Sequence, residues 1–207
     1  MSTRRIIVGL TGASGVIYGV RLLDLLAEAG AETHLVITPA GERTLAYETP
    51  LKINQVIARA HKHYPYTDIG AALASGSFKT DGMVIGCCSI RTMSEIATGV
   101  TANLLTRAAD VCLKERRPLI LMVRETPFHL GHLRSMAALS EMGAIIAPPL
   151  PAFYAQPQSI EEMVDQSVLR IVDLLGFEAP ALKRWGEELK PSRPARPDKS
   201  LKEEPSA

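Results

Sequence analysis

Five cations and a set of hydroxyl-bearing turns are the residues of this chain best suited to chemistry. Arg107 and Lys114 stand seven residues apart on one predicted helix, about two turns, so both project from the same face. Arg91 and Arg124 follow apolar runs that read as strands, and Arg170 lies on a late helical segment. Grouped around a small crevice, such cations suit a phosphate monoester or a diphosphate, because guanidinium forks and ammonium groups hold phosphate oxygens by charged hydrogen bonds. Scattered, they are a solvated basic face, and Arg116 and Arg117 fit that reading. Glu125, beside Arg124, suits either an ion-pair partner or a proton carrier tuned by neighbouring cations. Glu48 stands at the break after a short helical stretch. Tyr154 and Trp185 are aromatics with polar tips, of the kind used both in packing and at subunit contacts. No Cys/His or His/carboxylate cluster has metal-ligand spacing, so no metal site is expected.

The elements that must position these groups begin with Arg4 to Gly30. A short apolar run, Ile6 to Leu10, leads into the small-residue turn Thr11-Gly12-Ala13-Ser14-Gly15 and an apolar-periodic segment closed by Gly30. That is a buried strand, a tight turn and an amphipathic helix, the first unit of a parallel α/β sheet. The turn leaves N–H groups at a helix N-terminus, which favours an anion, and Ser14 adds a hydroxyl as N-cap or phosphate donor. The spacing is not G-x-G-x-x-G, so it does not specify NAD.

Further strands are expected at Thr33–Ile37, Gly82–Cys87, Pro118–Val123 and Ala144–Ile146, and helices at Ala40–Tyr47, from Ser89 to Gly99, at Asn103–Lys114, His129–Met142, from Ser159 to about Leu175, and Ala181–Leu189. Lys52 to His63 is polar and weakly patterned. The alternation predicts a doubly wound parallel sheet, in which ligands sit beyond the carboxyl ends of the strands. There Ser14, Thr38, Ser89-Ile90-Arg91-Thr92 and Arg124-Glu125 are expected to converge.

At 207 residues the chain suits one domain with a full core, taken here as residues 1–189. From Lys190 to Ala207 it is Pro-rich, charged and poor in large apolar residues, as in a flexible tail. A net charge of +1 gives no case for a nucleic-acid partner. No apolar run is long enough to span a bilayer or to form a signal-peptide core, which places the protein in the cytoplasm with no membrane partner. The three cysteines, Cys87, Cys88 and Cys112, read as buried small apolar residues.

Several stretches, TGASG, CSIRT, NLLTRAADVCLKERRPL, RETP, GAIIAPPLPAFYAQP and the late RW, resemble the UbiX-type flavin prenyltransferases, in order and spacing, from about Arg5 to Trp185. The resemblance implies a single-domain, Rossmann-like or flavodoxin-like flavoprotein that binds FMN between subunits of a homo-oligomer, commonly a dodecamer. It implies transfer of a dimethylallyl group from dimethylallyl phosphate to N5 and then C6 of reduced FMN, without a metal. The prenylated FMN would pass to a UbiD-type decarboxylase.

Carried over by position, Gly12, Ala13, Ser14, Thr38, Ser89, Ile90, Arg91, Thr92 and Arg124 would contact FMN. Tyr154 and Arg170 would hold the prenyl phosphate, with Arg107, Lys114 and Arg124 adding charge. Glu125 and Ser14 match a proton-relay pair, Glu48 a glutamate near N5, and Trp185 an aromatic wall of the prenyl pocket. The family usually carries Ser for Thr38, Lys for Arg91 and Pro for Cys87, and some members have a bulky aromatic for Gly70. Two rival readings are a non-catalytic FMN-delivery subunit and a flavin-dependent cysteine decarboxylase. Against the first stands the joint presence of Glu48, Lys114, Glu125, Tyr154 and Arg170. Against the second stands PPLPAFY, where those decarboxylases carry a Pro-x-Met-Asn-type segment.

Overall fold

A computed structural model describes residues 3–186, so the domain limit at residue 189 and the expected tail lie outside the described residues. Strand β1 (Arg5–Leu10) is followed by helix α1 (Val16–Glu28), β2 (Glu32–Ile37), α2 (Pro39–Glu48), α3 (Ile53–Ile57) and β3 (Lys62–Tyr64). Then come β4 (Gly82–Cys88), α4 (Ile90–Ala97), α5 (Leu104–Lys114), β5 (Leu119–Val123), α6 (Leu130–Glu141), β6 (Ile145–Ile146) and α7 (Ile160–Leu174). The six strands form one parallel sheet in the order β3-β2-β1-β4-β5-β6. The chain builds outward from β1 through β2 and β3, then crosses to β4 on the other side. This is the doubly wound, Rossmann-like architecture expected from the sequence, and the reversal between β1 and β4 opens a crevice at their carboxyl ends.

The strand sequences explain the layering. Every residue of β4 and β5 is buried, as a parallel sheet covered on both faces requires. One core lies between the sheet and α1 and α7, and the other between the sheet and α4 and α5. Helix α1 crosses β4 very closely. A side chain at Gly86 would place its Cβ 2.6 Å from the Gly19 Cα, and one at Gly19 would meet Leu10 Cδ2 at 2.2 Å. This contact holds the first turn of α1 over the crevice.

The boundaries agree with the sequence within a few residues, with two exceptions. Lys52 to His63 contains α3 and the start of the edge strand β3, whose exposed and half-buried positions carry polar Lys62 and His63 and so hide its period. The expected helix Ala181–Leu189 is absent over its described part: residues 181–186 are turns and irregular chain. Among the described residues no helix is long and apolar enough to cross a membrane.

Candidate active site

The turn after β1 sits at the β1/β4 crevice. Its N-cap is Gly15, in the left-handed region at φ 91°, and not Ser14 as the sequence suggested. The cap is supplied from elsewhere. Glu48, the last residue of α2, accepts from Gly15 N at 2.7 Å and from Val16 N at 3.0 Å, and its carboxylate also takes the Ser14 hydroxyl. Burial raises the Glu48 pKa, but Ser14, the two backbone N–H groups and the charge of Arg124 outweigh it and hold the carboxyl below the usual carboxylate range. The α1 N-terminus is thus satisfied by the protein's own anion. Ser14 pairs here with Glu48, whereas the sequence comparison paired it with Glu125. Glu125 is exposed and accepts from Thr126 N at 2.9 Å.

Two further helix starts face the same strand ends. Thr38 caps α2, its Oγ1 accepting from Gly41 N at 3.0 Å, and Pro39 occupies the first helical position. Ser89 caps α4, its Oγ accepting from Thr92 N at 3.3 Å and donating to Thr92 Oγ1 at 3.1 Å. Ile90 and Arg91 open that helix. Arg91 points outward, its side chain 82% exposed and paired with Glu95 at 2.8 Å. Gly12 is glycine because a Cβ there would lie 2.6 Å from the Ala40 Cβ, so the turn rests directly on the start of α2. Ala13 is buried in the same turn.

A lock beneath this turn was not legible in the sequence. Thr11, 1% exposed, donates to Cys87 O at 2.6 Å and accepts from Ser89 N at 2.9 Å. The Cys87 thiol donates to Gly15 O at 2.8 Å. Cys87 adopts a left-handed φ of 57° where the register of β4 against β5 shifts. Burial pushes its thiol up to about 12, with Arg124 lowering it and Glu48 raising it by smaller amounts. Tyr18, one turn into α1, borders the same place. Burial and then Cys87 raise its pKa while Arg124 lowers it. The exposed Arg124, tied by its own N–H to Cys88 O at 3.2 Å, is therefore the charge that Glu48, Tyr18 and Cys87 share.

The remaining cations do not converge there within one protomer. Arg107 and Lys114 share a face of α5, as their spacing required, but α5 runs antiparallel to the strands. Lys114 therefore ends beside the start of β5, about 17 Å from its end at ~3.3 Å per residue. Arg107 Nε donates to Ala74 O at 3.1 Å and its Nη1 pairs with Asp110 at 2.8 Å, while Lys114 pairs with Glu115. A third group flanks α7. Tyr154, in a 3-10 turn at Phe153–Ala155, stacks edge-on to Trp185 with ring centroids 5.5 Å apart, and both line a recess with Arg170. Arg170 pairs with Asp173, which also binds Arg184. Trp185 is 76% exposed. Helical period and strand-end position locate the cations and the hydroxyl caps within their elements, whereas Trp185 stands in irregular chain and not on the helix expected there; within one protomer the contacts fall into three groups, at the β1/β4 crevice, along α5 and beside α7. Gly70 opens onto free space, so a larger side chain there meets nothing nearer than Asp68 Oδ1 at 3.6 Å from its Cβ. Among the described residues no group of three His, Cys, Asp or Glu is arranged to hold a metal.

The chain is similar to proteins of known kind along most of its length. A sequence-family model of flavoproteins matches residues 1–172. The flavin prenyltransferase UbiX of Escherichia coli K12 is 52% identical over 185 residues, covering 88% of this chain and 98% of that one. The crystal structure of AnUbiX in complex with FMN and dimethylallyl pyrophosphate superposes with a TM-score of 0.88 at 43% identity, covering 89% of this chain and 98% of that one. A dodecameric FMN-dependent UbiX-like decarboxylase from Escherichia coli O157:H7 superposes with a TM-score of 0.85 at 43% identity, over 87% and 98%.

Proposed function

The chain belongs to the UbiX-type flavin prenyltransferases, and from that membership we propose how its residues divide the work of joining a dimethylallyl group to reduced FMN. The observation that carries the proposal is the gathering of Ser14, Glu48 and Arg124 with the Thr38 and Ser89 helix caps at the β1/β4 crevice. This donor set fits a flavin mononucleotide. Two helix starts with hydroxyl caps and an unshielded arginine suit its phosphate and polar edges, and a turn of small residues lets a planar ring lie close. Gly12, Ala13, Ser14, Thr38, Ser89, Ile90, Arg91, Thr92 and Arg124 are the residues assigned to hold it. When bound, reduced FMN supplies the nucleophilic centres that accept the prenyl group.

The protein's own groups would handle the donor. Cleaving an allylic C–O bond separates a cation from an anionic phosphate, and Arg107, Lys114, Arg124, Tyr154 and Arg170 are assigned to the phosphate, stabilising the charge it gains. The faces of Trp185 and Tyr154 favour the allylic cation. Glu125 is assigned to carry a proton at the phosphate, and Glu48, held ionised, to accept a hydrogen bond beside Ser14. Because the contacts of these residues fall into three groups within one protomer, we assign the complete site to the junction between subunits of a homo-oligomer, as a dodecameric assembly would supply. A UbiD-type decarboxylase in the same cytoplasm is the proposed recipient of the product.

The test is a mass spectrum of the flavin extracted after anaerobic incubation with reduced FMN and either dimethylallyl phosphate or dimethylallyl pyrophosphate. A flavin heavier by one C5H8 unit is expected, and comparison of the two incubations assigns the donor. Bound but unmodified FMN with both donors would overturn the reading in favour of cofactor storage and delivery.

A further inference from the structure

Gln166 is a buried polar residue in the middle of α7, 8% exposed, that none of the roles above uses. Its side-chain amide clasps the backbone of one residue of the C-terminal segment, Lys183. Lys183 N donates to Gln166 Oε1 at 3.2 Å, and Gln166 Nε2 donates to Lys183 O at 2.8 Å. The Lys183 side chain then reaches back, Nζ donating to Ala155 O at 2.9 Å, the residue after Tyr154. Two residues beyond the clasp, the Trp185 ring meets Tyr154 at 88°. On its other side Gln166 lines, with Tyr154 and Arg170, a cavity of about 130 Å³.

The segment that carries Trp185 has neither a helix nor a strand ladder to fix it. Ala179 and Leu182 anchor it by apolar contact, which is non-directional; directional ties to α7 come from the Arg184–Asp173 ion pair, made by a partly exposed side chain, and from the Gln166 clasp, which holds the backbone. Backbone N–H and C=O groups packed against a helix must be paired, and here one side chain pairs both the N–H and the C=O of Lys183. We propose that Gln166 is a positioning residue that fixes the Trp185 segment, through Lys183, so that Trp185 and Tyr154 form one wall of the prenyl pocket beside Arg170. The inference rests on the assignment of Tyr154, Arg170 and Trp185 to the prenyl donor.

Trp185 is the only tryptophan in the chain, so its fluorescence reports this segment directly. Gln166→Leu removes both bonds at similar volume, and Gln166→Glu keeps the acceptor for Lys183 N while losing the donor to Lys183 O. In the full-length, FMN-loaded protein, time-resolved anisotropy of Trp185 should show a faster, larger local motion in Gln166→Leu and a smaller change in Gln166→Glu. The KM for the prenyl donor should rise about tenfold in Gln166→Leu, the effect of losing a pair of hydrogen bonds. The FMN dissociation constant should stay within about twofold of the parent, because neither Gln166 nor the segment it holds is among the residues assigned to FMN. Unchanged anisotropy in either foldable variant overturns the clasp, and this optical result stands even if the parent transfers no prenyl group. Freed motion with an unchanged KM overturns the role in the pocket. Loss of FMN in step with the rise in KM reduces Gln166 to a general structural residue and also overturns the proposal. If Gln166→Leu does not fold, Gln166→Glu decides by the same criteria.

Discussion

Glu48 Oε2 lies 2.7 Å from the amide nitrogen of Gly15, so the positive end of α1 is closed by a carboxylate that arrives from α2, 33 residues along the chain. A strand, a small-residue turn and a helix normally advertise a place for a ligand's phosphate. In this protein that place belongs to Glu48, while Thr38 and Ser89 cap the neighbouring helix starts with their own side chains. The same contact orients Glu48: Gly15 N, Val16 N and the Ser14 hydroxyl fix the carboxylate at the edge of the crevice and keep it charged.

The acid limb of the stability profile should carry the signature of this cap. A carboxyl held below its ordinary value contributes its stabilisation fully above the unfolded-chain value near 4.5, and loses it as pH falls from there through the lower folded value. Glu48→Gln should therefore flatten the pH dependence of unfolding below that point. At neutral pH it should cost about 0.5 kcal/mol, the worth of a screened charge at a helix end. Denaturant midpoints measured between pH 3 and pH 7 would check it, and parallel curves for parent and variant would contradict it.

Arg91→Lys should be nearly silent. The guanidinium is 82% exposed and pairs with Glu95, four residues on along the helix, an interaction that solvent screens strongly and that lysine can also make. Flavin affinity by fluorescence titration should change less than about threefold, because the charge is kept and its surroundings are solvent. A tenfold loss would mean that the fork geometry of arginine is used when the oligomer is assembled.

The sequence was most informative where one physical signal dominated. Uninterrupted apolar runs such as Met83-Val84-Ile85 and Leu119 to Val123 gave the buried strands, and Ser89, Asn103 and Ser159 announced helix starts that the structure caps through those same side chains. It was least informative where a contact spans distant segments. Nothing local to Thr11 or Cys87 signals that they tie the turn after β1 to the end of β4, and nothing local to Gln166 signals a clasp on Lys183. Arg107 and Lys114 show a subtler limit: their spacing correctly put them on one face, but which end of the sheet that face reaches depends on the direction of α5 relative to β5. Motif resemblance supplied the grouping of Tyr154, Arg170 and Trp185 that period and spacing alone left open.

Replacing Cys87 with proline, the residue usual at that position in the family, should damage this protein. Proline fixes φ near −65°, whereas Cys87 stands at 57° with its thiol on Gly15 O. A loss of at least about 3 kcal/mol and weakened FMN binding are expected, against about 1 kcal/mol for Cys87→Ala, which keeps the backbone and loses only the thiol bond. Thermal unfolding of the two variants with and without FMN would separate the cases. Equal stability of Cys87→Pro and the parent would show that this loop reorganises freely.

The cysteines should be chemically silent in the native protein. Cys87, Cys88 and Cys112 are all buried, and burial pushes the Cys87 and Cys112 thiols up to about 12 and Cys88 higher still. Since the thiolate is the reactive form, labelling by iodoacetamide at pH 8 should be negligible until the chain is unfolded, when all three should react. Rapid native labelling at Cys87 would show that the crevice opens to solvent.

The division of the site into three groups within one protomer leads to a test by subunit mixing. Glu48→Gln and Lys114→Ala should each be inactive in prenyl transfer as pure oligomers, the first through the crevice and the second through the phosphate. When the two variants are co-expressed in equal amounts and assemble at random, every protomer carries one defect. If each site draws its Glu48 and its Lys114 from one chain, no intact site forms and activity stays absent. If it draws them from different chains, about one quarter of the sites receive both native residues and activity recovers to about that fraction of the parent. Recovery is the expected outcome, because the length of β5 lies between Lys114 and the crevice within one chain. Mixed oligomers as inactive as the pure ones would show that one chain supplies both residues to each site and would overturn the division of the site between subunits, whereas an active Lys114→Ala oligomer would leave Lys114 as a surface ion-pair partner of Glu115.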